Sequence, residues 1–331
     1  MRNSKRVISL LWTMILFGFT VYAILDTFVI ERAYVFVEEK PMRVKNPMQY
    51  TPIHVSAVKT TPAVTASWMT EEDTTHKSNV TPSANIQPLS SEKCYSDENI
   101  SITIHEVRIY DSTVYVADVL LSSPEHLQTA FANNVYGRNV TAKTSRITKK
   151  ANAILAINGD YYGARSSGYV IRNNVLYRSK ANRNAEDLVI YEDGSFEIVK
   201  ESQISAQDLL EKGARNVLSF GPALLIDGRI TVNESVKTKV SKSSHPRTAI
   251  GIIDKLHYLF VVSDGRTKAS KGLSLQELAA VMQDFGATTA YNLDGGGSST
   301  MVFQGRIVNN PTSDGKRIKE RSISDIVCII C

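Results

Sequence analysis

Cysteine is scarce in this chain, with 3 residues in 331. So few thiols exclude a disulfide framework, which needs at least two pairs. Cys328 and Cys331 have C-x-x-C spacing. Neither a second such pair nor a His pair accompanies them, so a zinc or redox use is unsupported. Buried thiols, or one bridge from Cys94 to Cys328 or Cys331 in an oxidising compartment, remain open. Charge of one sign is lacking as well. The net charge is only +5, and no block of Lys and Arg interleaves with aromatics. That argues against a nucleic-acid partner. The chain has no G-x-S-x-G, no H-E-x-x-H and no Walker lysine after its glycines, so the standard hydrolase, zincin and P-loop signatures are missing. No cofactor is expected, no metal-ligand set can be named, and no repeat is visible.

The N-terminus is the clearest local signal. Arg2, Lys5 and Arg6 precede an uncharged apolar run from Val7 to Leu25. Its length suits one membrane crossing of about 20 residues, and no small-residue cleavage site follows it. The expectation is an uncleaved signal anchor in the cell membrane. The positive-inside rule leaves the tip cytoplasmic and the rest of the chain extracytoplasmic. Pro41, Pro47, Pro52, Pro62, Pro82 and Pro88 then fall in a Thr- and Ser-rich stretch without sustained periodicity, as a stalk would have. Residues 1–30 are therefore assigned to tip and anchor, 31–93 to the stalk, and 94–331 to a folded domain.

From Cys94 the pattern is rich in strands. "ISITIHEVRI" and "STVYVADVLL" alternate apolar and polar residues, as half-buried strands do. "ANAILAIN" is more continuously apolar and reads as a central strand. Hairpin turns are expected at Asn173-Asn174, Asp193-Gly194 and Asp227-Gly228. Helices are expected over 145–152, 205–212 and 274–285. In the last of these, Ser274 and Glu277 have capping-box spacing and Gly286 marks the stop. The fold class expected is α+β, a single mixed-sheet domain with a few helices.

Several strands end in polar groups. "LAINGDYYG" delivers Asn158 and Asp160, with Tyr161 and Tyr162 beside them. "FVVSDGR" delivers Asp264 and Arg266, and Arg247 stands at the entry to "TAIGII". "YNLDGGGSST" delivers Asn292, Asp294, the run Gly295, Gly296 and Gly297, and the hydroxyls of Ser298 and Ser299. Rigid strands presenting side chains from their ends is a common way to build a site. Arginine forks and exposed amides suit phosphate. Carboxylates suit protonation of a leaving oxygen and activation of water. A substrate holding both a sugar and a phosphate would use all of these groups. Three N-x-Ser/Thr sequons begin at Asn99, Asn139 and Asn233 and matter only in a glycosylating host.

The motifs "NGDYYG", "PRTAIG", "SDGR", "GLSLQELA" and "NLDGGGSSTMV" occur here in one order. From about Asn158 to Ile329 the chain resembles the phosphodiester glycosidase domain family. The resemblance implies hydrolysis of a sugar-1-phosphodiester, releasing the sugar and leaving a phosphomonoester. It places Asn158, Arg247, Asp264, Asn292, Asp294 and the loop from Gly295 to Ser298 on the shared pattern. Asp160 and Arg266 fall in slots that the family fills variably. Asp294 and Asp264 are the expected catalysts, and the other site residues are expected to bind substrate. Bacterial relatives are often labelled exopolysaccharide proteins, which implies a sugar-phosphate-containing cell-envelope glycan as the partner. The rival readings are a non-catalytic glycan- or wall-binding module on a membrane stalk, and an enzyme cutting the P–O bond.

Overall fold

Alternating sequence becomes long antiparallel ladders in the computed structural model, which describes residues 11–21, 35–36, 87–88, 93–232 and 243–331. Ile100–Ile109 pairs with Ser112–Leu121 along its whole length. Ile100, Ile102 and Ile104 face inward with Ala117, Val119 and Leu121, and all six are buried. Alternate side chains of a strand point to one face, so the period-2 pattern sets the register. From Ser112–Leu121 the large sheet continues through His257–Ser263, Arg247–Asp254, Thr289–Asn292, Ala223–Ile226 and Arg229–Ile230.

A second sheet runs Leu127–Phe131, Asp325–Ile329, Leu155–Asn158, Met301–Phe303, Arg306–Ile307. A third runs Val175–Arg178, Val170–Arg172, Ala214–Leu218, Glu186–Tyr191, Phe196–Lys200. Their ladders too are antiparallel. One hydrophobic cluster joins all three sheets, with Ile102 and Phe260 from the first, Ile157 and Val327 from the second, and Leu188 and Leu218 from the third. At about 25 cal/mol per Å² of apolar area, this shared burial is the main force holding the sheets together. The architecture is α+β and dominated by sheet.

Helices lie at Thr144–Lys150, Ala206–Glu211 and Leu275–Asp284. In the last, the Ser274 hydroxyl accepts from the Glu277 amide while the Glu277 carboxylate accepts from the Ser274 amide, satisfying two otherwise orphaned donors. Leu275, Leu278 and Met282 pack on Leu224, Ala249 and Leu259 of the large sheet. The turns fall where the sequence puts them. Asn173 and Asn174 have φ of 48° and 66°, and Asp227 and Gly228 have 50° and 71°, the left-handed pairs that two-residue hairpins require.

The three cysteines are free thiols, so the bridge considered from Cys94 is not formed. Cys328 sits in the core, where burial pushes its thiol up to about 12. Of the apolar run 7–25, residues 11–21 are described; they are helical, and Trp12, Leu16 and Phe17 are exposed. Among the described residues no helix is long and apolar enough to cross a membrane. The rest of that run, most of the expected stalk and the sequon at Asn233 lie outside the described residues.

Candidate active site

The stretch "YNLDGGGSST" is the crossover between two sheets. Tyr291 and Asn292 end a strand of the large sheet, and Met301 begins a strand of the second. The crossover is stitched to both. Leu293 N–H donates to Thr248 O at 2.9 Å, and Asp294 N–H donates to Gly159 O at 3.3 Å. Asn158 is the central tie. Its Nδ2 donates to Asp294 O at 2.6 Å, and its Oδ1 accepts from Thr248 Oγ1 at 2.8 Å and Thr300 N at 3.2 Å. Those bonds fix the Asp294 backbone relative to both sheets.

This crowding accounts for the glycines. A Cβ on Gly297 would lie 2.1 Å from Ser313 Oγ, and one on Gly296 would lie 2.9 Å from Arg266 Nη2. Gly296 also has φ +63°, a conformation costly for side-chain-bearing residues. The Gly296 amide donates to Pro246 O, and the Ser298 and Ser299 amides donate within the loop. Close approach of neighbouring protein segments, including the one at Gly295 to Pro246 O, is what these glycines permit.

Asp294 opens onto a cavity of about 160 Å³. Asp160, Ser298, Arg321, Tyr161 and Asn139 are among the residues lining it. Arg321 Nη2 lies 3.8 Å from Asp294 Oδ2. It also donates to Ser298 Oγ at 2.8 Å and Gly295 O at 3.1 Å, while Nε donates to Ser298 Oγ at 3.0 Å. The guanidinium is thus held by neutral acceptors, and its side chain is 47% exposed, which leaves a face for an anion. Burial raises the proton affinity of Asp294. The Ser298 hydroxyl, the Arg321 charge and the Gly295 amide oppose that rise, and the Asp160 charge adds to it. A carboxyl of raised proton affinity beside a partly exposed guanidinium can serve as a general acid.

Three of the residues expected from sequence meet in this cavity: Asp294, Asp160 and Ser298. The others are placed elsewhere. Asp264 is buried, with Oδ1 accepting from Asn310 N at 2.8 Å and Asn309 Nδ2 at 3.4 Å, and Oδ2 accepting from Asn310 Nδ2 at 2.9 Å. It is not among the residues lining this cavity, and its carboxylate anchors the 309–310 turn. Arg247 donates to Leu273 O at 2.9 Å and Ser243 O at 3.0 Å, and burial lowers its pKa to about 10. Asn292 donates to Gly221 O at 2.7 Å and leaves its Oδ1 without a partner among the described residues. Ser299 is fully buried. Arg266 reaches Ser313 O at 2.7 Å and packs behind Gly296.

Arg321 is a cavity residue that sequence reasoning missed. It stands just before "SISDIVCII", as Arg247 stands before "TAIGII", and that shared position was the available signal. Asp160 is more constrained than a substrate-binding residue should be, because Arg172 and Asp325 lie behind it. Lone charges inside the apolar runs "VIR" and "ISDIVCII" pointed to such a pairing, since buried charges need partners. Among the described residues no group of three or more His, Cys, Asp or Glu is arranged to hold a metal ion.

The phosphodiester glycosidase family model matches residues 151–330. The SPbeta prophage-derived uncharacterized protein YomE of Bacillus subtilis (strain 168) is 31% identical over 190 residues, 55% of this chain and 29% of that protein. Human N-acetylglucosamine-1-phosphodiester alpha-N-acetylglucosaminidase is 26% identical over 208 residues, 57% of this chain and 40% of that enzyme. The match therefore spans less than half the length of either relative. Two solved structures share the fold. The zebrafish N-acetylglucosamine-1-phosphodiester alpha-N-acetylglucosaminidase catalytic domain, auto-inhibited by pro-peptide, aligns at TM-score 0.57 and 23% identity, covering 75% of this chain and 88% of that one. A hypothetical protein from Synechocystis aligns at 0.54 and 16%, covering 73% and 64%. The motifs, the fold and the family match over more than half of its length agree: the chain belongs to the phosphodiester glycosidase family, a family of hydrolases.

Proposed function

We propose that the Asp294 cavity hydrolyses a sugar-1-phosphodiester, releasing the sugar and leaving a phosphomonoester. The observation that carries this reading is the meeting, in one cavity, of a carboxyl with raised proton affinity and a partly exposed arginine. Breaking the bond from the anomeric carbon to oxygen turns a singly charged diester into a monoester that gains negative charge. Arg321 and the Ser298 hydroxyl face that charge, and stabilising charge as it develops is worth several kcal/mol in such sites. Asp294 donates its proton to the departing oxygen, and the anomeric carbon takes its new oxygen from water, whose released proton restores the carboxyl. Asp160 keeps a fixed negative charge near the anomeric carbon, where positive charge develops.

The cavity lining also includes the neutral polar residues Asn139, Thr141 and Ser324, and Tyr161 at 45% exposure. That chemistry suits a sugar ring, hydroxyl against hydroxyl, with an aromatic face for its C–H surface. At about 160 Å³ the cavity is smaller than the roughly 300 Å³ or more that encloses a drug-sized ligand. It therefore takes one sugar-phosphate end, and the remainder of a larger glycan stays in solvent. The proposal extends to location. The uncharged run from Val7 to Leu25 behind Arg2, Lys5 and Arg6 supports a membrane anchor, with the domain on the extracytoplasmic side acting on an envelope glycan.

The test is product analysis with the full chain in detergent, using a sugar-1-phosphodiester in oxygen-18 water. Label in the released sugar is the expected result. Label in the phosphate assigns P–O cleavage and overturns the proposal. Binding without turnover returns the cavity to a glycan-binding role.

A further inference from the structure

Two stretches beside the cavity, 266–271 ("RTKASK") and 313–321 ("SDGKRIKER"), carry seven cations against two anions. The whole chain has 38 Lys and Arg against 33 Asp and Glu, so outside these stretches the count is 31 against 31. The entire net charge of +5 therefore sits on these two short segments. Like charges gathered in this way repel one another and cost stability, so the fold has to hold them together.

It does so by joining the stretches to each other and to the glycine crossover. Arg266 Nη1 donates to Ser313 O at 2.7 Å. Gly315 has φ +72°, and a Cβ there would collide with Arg266 O, so glycine is what lets the two backbones touch. Lys319 N donates to Pro311 O at 2.7 Å, and Arg321 N donates to Gly297 O at 3.3 Å. The cations thus form a track. It starts at Arg321 on the cavity wall, runs back along the chain to Lys316, and crosses the Gly315 contact to Arg266 and Lys271.

The anions nearby are already engaged. Glu320 is buried and accepts from Ser145 N at 2.9 Å and Ser145 Oγ at 2.6 Å. Asp314 accepts from Lys316 N at 2.9 Å and Arg317 N at 3.0 Å, closing its own turn. Asp111 pairs with Lys271 at 2.7 Å. Lys268, Lys316 and Lys319 are exposed, and their side chains have no hydrogen bond or ion pair among the described residues.

We infer that this track binds a glycan polymer carrying a phosphodiester at every repeat, its terminal diester in the cavity and its following phosphates on the exposed lysines. The cavity of about 160 Å³ holds one sugar-phosphate end, so the next charged repeats must lie on the surface outside it. Arg321 belongs to both places, which makes the track continuous with the phosphate side of the cavity. Nucleic acid fits less well, because neither stretch contains an aromatic residue on which a base could stack. An anionic membrane surface also fits less well, because Ile318 is the one large apolar side chain the stretches expose. The place of the terminal diester rests on the reading of the cavity proposed above, whereas the charge of the track does not.

The experiment uses the full chain in uncharged detergent. Binding of a fluorescent polymer of glycosyl-1-phosphate repeats is read by anisotropy, and turnover is measured on the single-repeat diester. The wild-type chain is expected to bind the polymer more tightly than the single repeat, with an affinity that falls steeply as salt rises. Lys268→Gln, Lys316→Gln and Lys319→Gln combined are expected to weaken polymer binding about tenfold. The slope of log affinity against log salt should shrink by about 2, while kcat/KM for the single-repeat diester stays within about twofold of wild type. Lys200→Gln, Lys212→Gln and Lys255→Gln combined remove the same net charge from other elements and are expected to leave both readings in place. Unmoved polymer binding in the first variant, or an equal loss in the second, overturns the inference. Displacement of the polymer by single-stranded DNA, or by phosphatidylglycerol added to the micelles, at a lower phosphate concentration than unlabelled polymer requires would assign the track to another anion and also overturn it. A chain that binds the polymer as expected but hydrolyses neither compound refutes the proposed function and leaves the track standing. A chain that hydrolyses the single repeat but binds the polymer no better refutes the track alone.

Discussion

The ends of two strands in the large sheet, at Ser263-Asp264 and Asn292-Leu293-Asp294, present the same side chain followed by glycine. Their environments differ. Asp264 accepts hydrogen bonds from Asn309 and Asn310 on both oxygens, so its charge is consumed in holding a turn. Asp294 faces a cavity, with burial raising its proton affinity and Arg321 beside it. The two differ in access: the donors on Asp264 come from one turn that closes over it, whereas Asp294 lines a cavity. A carboxyl with raised proton affinity and access to a cavity is available for chemistry.

The strongest way to break this comparison is at Asp294. Asp294→Asn keeps the shape and removes the transferable proton, so kcat is expected to fall by about 10² to 10⁴-fold. Wild-type turnover in that variant ends the assignment. Next in size is Arg321→Ala, expected to lower kcat/KM by about 10- to 100-fold, the worth of hydrogen bonds to a charged group. Arg321→Lys should restore little, because lysine lacks the planar fork. Unchanged kinetics in either variant would move phosphate recognition elsewhere.

The comparison sharpens at a carboxyl that is buried with still less compensation. Burial, joined by the charge of Glu201, pushes Asp187 up to about 9. Because the folded value lies above the unfolded one, the stabilisation is full below the ordinary carboxyl range. It is lost as pH rises toward 9. The melting temperature should therefore fall from about pH 5 upward, by up to about 1.4 kcal/mol per pH unit. Asp187→Asn should flatten the upper part of that decline, and a melting temperature constant across the range would contradict the burial argument. The smallest effect is expected at Tyr161. Tyr161→Ala should raise KM by about threefold to tenfold at constant kcat, the worth of one aromatic contact. No change in KM would remove it as a sugar platform.

Local rules made most of the fold legible. The helix Leu275–Asp284 announces itself by its capping box and apolar face, and the hairpins by Asn173-Asn174 and Asp227-Gly228. The site was legible in part. "YNLDGGGSST" marks Asp294, which the structure places on a cavity, but the glycines that a ligand would need look the same in sequence as those that admit Ser313 or Arg266. The anchoring of Asp264 was not legible because its donors, Asn309 and Asn310, come from a segment 45 or more residues away with no periodicity to place it. Arg321 was missed for a related reason. It stands among Arg317, Lys319 and other polar residues in a connection, and only the folded chain brings it to Ser298 and Gly295.

The most direct test of the account measures turnover per folded molecule and melting temperature side by side for Asp294→Asn and Asp264→Asn. The account predicts a crossover. Asp294→Asn loses turnover and keeps a melting temperature close to wild type. Asp264→Asn keeps its turnover per folded molecule and loses about 2 to 3 kcal/mol of stability, a fall of roughly 5 to 10 °C. Lost turnover at an unchanged melting temperature in Asp264→Asn, or intact turnover in Asp294→Asn, would contradict it.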